Sequence, residues 1–192
     1  MPKFERTSST PRDRLLETAR ALFLEQGVPN VGINKVTAEA DVARMTLYNN
    51  FASKDALVLA VFEQEIEIRR ASICAVQDTL DGPFEKVLAL FVVALELSSV
   101  KGFRGCAFVN LAIEVAAPDS AMHKLAKAHK DWILDNLIGH LSPDLFTAPQ
   151  ELARQILVLW DGGIVGAYVQ QSDAPIHAAR DAARVLMRSA VK

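Results

Sequence analysis

The sequence predicts an all-α protein, and three observations carry that prediction. Apolar residues recur at spacings of three and four along nearly the whole chain, the signature of one-sided helices. Sustained period-two runs and Asn-Gly hairpins are missing. Short breaks rich in Gly, Pro, Ser and Asp cut the chain into segments of helical length. Hydrophobic residues make up 51% and charged residues 23% of the 192, a globular composition with enough chain for one large domain or two small ones.

The elements follow in order. The polar tail to about Thr10 is expected to be mobile. A first helix opens near Pro11, whose φ suits an early helical position, with Thr10 as N-cap. Its apolar stripe is Leu15, Leu16, Ala19, Leu22 and Phe23, and Gly27 ends it. After the connector "VPNVG", a short second helix is expected from about Ile33 to Ala40. The segment "VARMTLYNNF" follows Asp41. Ser53 then caps a fourth helix, with Asp55 in a first turn that favours negative charge, and the helix runs to about Cys74. Pro83 opens a helix to roughly Val100 after "TLDGPF". "KGFRG" is a break, and "CAFVNLAIEV" is an apolar helix that stops at "APDS". Asp119 or Ser120 caps a long amphipathic helix to about His140. Two helices close the chain, from about Gln150 to Gln171 and from about Ala174 to Ala190.

Several function classes are disfavoured. No uninterrupted apolar run reaches the roughly 18 residues that cross a bilayer, and "MPKFERTSSTPRDR" has no apolar signal core, so a cytoplasmic protein without a membrane partner is expected. Cys74 and Cys106 fit no zinc spacing, and His123, His129, His140 and His177 form no HExxH-like pair, so neither metal nor cofactor is expected. The formal net charge of −2 gives no general pull towards nucleic acid. Residues 1–55 carry eight Lys or Arg against seven Asp or Glu, and the rest thirteen against sixteen. Local placement of charge must therefore decide.

In "TAEADVARMTLYNNF", Val36, Ala40, Val42 and Leu47 can join two crossing helices. Asp41 sits between them, where a tight turn needs a residue that tolerates the left-handed region. The stretch reads as helix-turn-helix. Val42, Leu47 and Phe51 are then expected to face the core, and Arg44, Met45, Thr46, Tyr48 and Asn49 to face outward. A short helix of that kind, braced by two others, suits a major groove.

"LLETARALFLEQG", followed by "INKVTAEADVARMTLYNNFASKDAL", resembles the N-terminal domain of the TetR family of transcriptional regulators. The likeness covers about residues 11–62. The chain departs from the usual pattern at Asp41, where Gly is commonest, at Ala43, where a capping Ser is commonest, and at Asn49 and Asn50, which replace a frequent His pair. The resemblance implies a homodimer with a DNA-binding domain (residues 1–52) and a C-terminal effector-binding and dimerisation domain (residues 53–192). It implies double-stranded operator DNA, with an inverted repeat, as one partner and a small-molecule effector as another. By residue, it implies that Arg44 reads guanine and Met45 touches a thymine methyl. Thr46 and Tyr48 hold phosphates, and Asn49 meets phosphate or adenine. Lys54 meets a phosphate at a helix N-terminus. Gly32 and Asn34 are further candidates for backbone contact.

The remaining two-thirds shows no catalytic constellation. An enzyme would need Cys106 as nucleophile and a base such as His129, and "RGCAFVN" matches no known nucleophile signature, so no enzyme is expected. The resemblance implies a ligand pocket instead, with Phe103, Cys106, Phe108, Asn110, His129, Trp132, Trp160 and Asp161 as candidate lining residues and an apolar or aromatic effector. The alternative is a redox or electrophile sensor at Cys106, its thiol acidified by Arg104. In "LVLWDGGIVGAYVQQ", small residues allow close helix approach. Ile156, Leu159, Gly162, Gly163, Ile164, Gly166 and Tyr168, with Val185 and Leu186, are the expected dimer interface. Close packing within one chain is the other explanation for the same glycines.

Overall fold

Thr10 begins the ordered architecture with a reciprocal cap: the Asp13 N–H donates to the Thr10 side chain, and the Asp13 carboxylate accepts from the Thr10 N–H. The computed structural model describes residues 10–115 and 117–192; the expected N-terminal tail, residues 1–9, lies outside them. Among the described residues there are nine helices and no strand. They are α1 (Pro11–Gln26), α2 (Ile33–Glu39), α3 (Arg44–Asn50), α4 (Lys54–Asp78), α5 (Pro83–Ser98), α6 (Ala107–Val115), α7 (Ala121–His140), α8 (Pro149–Gln170) and α9 (Ala174–Ala190).

Helices α1 to α3 pack on one another as a small unit. Leu15, Leu16, Ala19, Leu22 and Phe23 of α1 are buried with Val36 of α2, Leu47 of α3 and Phe51 just after it. Asp41 takes φ 51° between α2 and α3, the left-handed turn residue the spacing calls for. Ala43 is the N-cap of α3 and supplies no side-chain bond, so that helix starts with its amides uncapped.

Helix α4 connects this unit to the rest. Ser53 caps it by accepting from the Ala56 N–H. It runs to Asp78, a turn beyond the boundary near Cys74 that the change in sequence character suggests. Gln77 explains the extension: it is buried, donates to the Lys86 carbonyl at 3.0 Å, and exchanges bonds with the Asn136 amide. The polar residue is a packed anchor there. Helix α5 is the innermost: Val87, Leu88, Ala89, Leu90, Phe91, Val93 and Ala94 are all buried, and it packs against α4, α7, α8 and α9. Ser120, rather than Asp119, caps α7 by accepting from the His123 N–H. The chain end is tied back to the α7–α8 linker through Thr147 N–H to Ala190 O (2.8 Å) and Lys192 N–H to Leu145 O (3.1 Å).

Helices α8 and α9 form the most extensive pair. A Cβ on Gly163 would sit 3.0 Å from the Ala179 Cβ, and one on Gly166 would sit 2.8 Å from Pro175. These two glycines therefore let α9 approach α8 within one chain. Helix α8 is the one described helix long and apolar enough to span a bilayer. Here its apolar residues divide between a face turned inward and a stripe left exposed.

Candidate functional site

Helix α3 separates its two kinds of residue cleanly. Leu47 is fully buried and Phe51 nearly so, while Arg44, Met45, Tyr48 and Asn49 are exposed and Thr46 is half-buried. Met45 is 70% and Tyr48 40% exposed, so apolar surface lies on the outward face of the helix. The Arg44 guanidinium rests over the Tyr48 ring, 5.7 Å from its centroid. Asn50 folds back to donate to the Thr46 carbonyl at 2.7 Å, which leaves Asn49 as the outward amide of the pair. Gly32 and Asn34 are exposed at the start of α2. Lys54 is half-buried, and its ammonium donates to the Val28 carbonyl at 2.7 Å. An ammonium has three donors, so this bond leaves two for an anion at the N-terminus of α4.

The Val28 peptide is held from both sides. While Lys54 takes its carbonyl, Glu114 of α6 accepts from its N–H at 2.9 Å. Arg104 pairs with the same Glu114 at 3.3 Å. Gly27 takes a φ of 83° that favours glycine, and a Cβ there would lie 2.6 Å from the Glu114 carboxylate and push it aside. A second ion-pair set joins α1 to α4: Glu65, fully buried, lies 2.6 Å from Arg20 and 2.5 Å from Arg69.

Both sets border a cavity of about 550 Å³, a volume suited to a small organic ligand. Its walls come from α1, α4, α5, α6, α7, α8 and the loop before α6. Six of the expected residues meet there: Phe103, Cys106, Phe108, Asn110, His129 and Trp160. The His129 ring lies 3.9 Å from that of Phe108, which in turn stands edge-on to Phe62. His129 is 2% exposed and its Nδ1 has no partner in the protein. Burial, together with Lys130, Arg70 and Arg69 nearby, lowers its pKa to about 3, so the imidazole is neutral at physiological pH. Asn110 donates to the Arg104 carbonyl, and the Trp160 indole to the Leu90 carbonyl, so both wall residues are fixed in place.

Two expected lining residues lie elsewhere. Trp132 is half-buried beneath the Arg70 guanidinium, 5.1 Å from its ring centroid, outside the cavity. Asp161 is one helical step, about 100°, from Trp160, and it pairs with Lys130 rather than facing the cavity. Among the wall residues that the reading from sequence missed are the charged Arg20, Arg69 and Glu114 and the aromatic Phe62. One signal was present. Glu65 falls on the stripe of Val58, Val61, Phe62 and Ile66, and a charge on a buried stripe implies cationic partners.

The expected interface residues also divide. Ile156, Gly163 and Ile164 are buried inside the protomer, where no partner helix can reach them, and Ile164 is a cavity wall. Gly166 is half-buried against Pro175. Leu159 and Leu186 are half-buried, whereas Gly162, Tyr168 and Val185 are exposed. The exposed apolar stripe of α8 is Val158, Gly162, Val165 and Val169, with Val158 at 70% and Val169 at 72% exposure. Spacings of four, three and four make this a second seam on a helix that is apolar on two sides. The inward-facing isoleucines were chosen from sequence because periodicity alone does not say which of two apolar stripes is the inner one.

Comparison with known proteins agrees with this architecture. Residues 15–61 match the family model described as bacterial regulatory proteins, tetR family. The chain is 31% identical to SCO4454, a TetR-family transcriptional regulator from Streptomyces coelicolor, with a TM-score of 0.89 over 96% of this chain and 92% of that one. It is 24% identical to the HTH-type transcriptional repressor DhaR of Mycobacterium sp. (strain GP1), over 86% of each chain. It is 26% identical to the HTH-type transcriptional repressor NemR of Escherichia coli (strain K12), over 88% of this chain and 90% of the relative.

Proposed function

The chain belongs to the TetR family of transcriptional regulators, and from that premise we propose a homodimeric repressor that leaves its operator when a small apolar or aromatic effector fills the cavity. Residues 1–52 read DNA, and residues 53–192 bind effector and dimerise. The observation that carries the DNA-binding role is α3 itself, whose outward side chains have no packing use while Leu47 and Phe51 anchor its other face. Arg44 reads guanine through O6 and N7, and Met45 covers a thymine methyl. Thr46, Tyr48 and Lys54 hold phosphates, Asn49 meets phosphate or adenine, and Gly32 and Asn34 approach the backbone. The names of DhaR and NemR support repression. The protein works in the cytoplasm, where its DNA is, and has no catalytic role.

Effector control is supported by the cavity sharing α6 with the Val28 clamp. Two states suffice. In one, Glu114 holds the α1–α2 connector and the recognition helices sit at groove spacing. In the other, a filled cavity displaces α6 and loosens that hold. An effector need only bind the second state better to shift the population. Dimerisation is supported by the exposed stripe Val158, Gly162, Val165 and Val169, with Val185 of α9 beside it.

A second reading places the signal at Cys106, which lines the cavity at 9% exposure. If an electrophile or peroxide releases wild type from DNA but not Cys106→Ser, the thiol is the sensor; equal release assigns control to the non-covalent effector.

Arg44→Ala tests the base-reading role. Its loss on selected operator should exceed its loss on random DNA by about 10- to 100-fold, the 1–3 kcal/mol of a bidentate contact. Equal losses would reduce Arg44 to a phosphate contact.

A further inference from the structure

The cavity is mostly apolar, and its charged lining has more cations than anions: Arg20, Arg69, Lys101 and Arg104 against Glu25 and Glu114. Arg20 and Arg69, both partly exposed, line it and share one buried carboxylate, Glu65, so the three together carry one positive charge in excess. His129 lines it too, 2% exposed and with its Nδ1 unpartnered. Lys130, Arg70 and Arg69 lie close enough to the His129 imidazole to disfavour a further cation beside it. The Arg104–Glu114 pair is already neutral and adds no competing demand. The stacked rings of Phe108 and His129, with Phe62 and Trp160 in the same wall, favour a flat apolar body.

We propose that the cavity takes an aromatic monoanion, a molecule with a planar apolar body and one carboxylate or phenolate oxygen group, with that group placed between Arg69 and His129. This rests on the reading of the cavity as the effector site and narrows it to one charge class. The anion takes up the positive charge that Glu65 leaves uncompensated. It thereby draws on Arg69, whose carboxylate partner also holds Arg20 of α1, so the same contact reaches the DNA-binding unit.

The test compares four probes on the full-length protein by titration calorimetry: 2-naphthoate, its neutral isostere 2-naphthamide, the cation 2-naphthylmethylamine, and 2-naphthol raised through its ionisation by pH. Naphthoate is expected to bind at least tenfold tighter than the amide, and the amine weakest. Naphthol should tighten as it ionises. In Arg69→Met the preference for naphthoate over the amide should collapse to less than threefold while amide binding persists. Wild-type affinities alone decide the matter if that variant does not fold. Amide or amine binding as tightly as naphthoate overturns the anion assignment. Leu97→Trp, which fills the cavity from its wall, separates the two readings. If the probes bind alike and this variant blocks them all, the cavity reading stands and the charge class falls. If none binds wild type, or binding survives Leu97→Trp, the cavity reading falls as well.

Discussion

At the scale of single residues, His129 makes a measurable demand on the fold. Its pKa falls to about 3 in the folded protein against an ordinary value of 6.5, first through burial and then through Lys130, Arg70 and Arg69. The folded imidazole stays neutral while the unfolded one gains a proton. The stability this contributes is therefore full above about pH 6.5 and is lost as pH falls towards 3. Between those limits the slope approaches about 1.4 kcal/mol per pH unit. Denaturant melts of wild type and His129→Gln from pH 7 to pH 4 should show a shallower acid loss in the variant; parallel curves would mean that His129 titrates normally. Ala43 makes a smaller prediction. It takes extended N-cap geometry, φ −65° and ψ 145°, without a side-chain acceptor. Ala43→Ser should add about 1 kcal/mol in the same melts, since the hydroxyl can then accept from an uncapped amide of α3. These two residues differ in legibility. The missing cap was visible in the sequence because capping is local. The His129 environment was not, since its neighbours come from α4 and α6, far away in the chain.

At the scale of elements, α6 joins the cavity to the helix-turn-helix unit. One face lines the cavity through Phe108, Asn110 and Leu111, and its end sends Glu114 to the Val28 amide, held in turn by Lys54. Glu114→Ala should leave the helices folded, weaken DNA binding by a few-fold, and abolish most of the effector's power to release DNA. Anisotropy titrations with and without effector would measure this, and full retention of release would remove α6 from the route. Helix starts and stops were largely legible because their signals are local: Thr10 with Pro11, Gly27, Ser53, Pro83 and the Asp119–Ser120 pair all mark boundaries. The end of α4 was not, because Gln77 is held by Lys86 and Asn136, contacts that no local pattern reports. Trp132 and Asp161 were misplaced as cavity residues for a similar reason. Composition marked the right helices, but the rotation of each about its own axis is set by tertiary packing.

At the scale of the whole molecule, the account requires two copies. The all-α architecture and its recognition unit were legible from residues 11–62, where turn, cap and core spacing all agree. Of the residues expected at the assembly surface, Ile156, Gly163 and Ile164 belong to the chain's own packing, so the proposed dimer rests on the exposed stripe of α8 instead. Val165→Glu, in the middle of the exposed stripe, should convert a dimer to monomers at micromolar concentration in sedimentation equilibrium with the helical content unchanged; a wild type already monomeric there would contradict the assembly. The central claim is that a dimer presents two α3 helices to successive major grooves. Its most direct test is selection of bound duplexes from a random pool at fixed salt. The account predicts an enriched inverted repeat with half-site centres about 34 Å apart, or a small multiple of one helical turn, and Arg44→Ala should fail to enrich it. Recovery of no common sequence, or of a single asymmetric half-site bound one chain at a time, would contradict it.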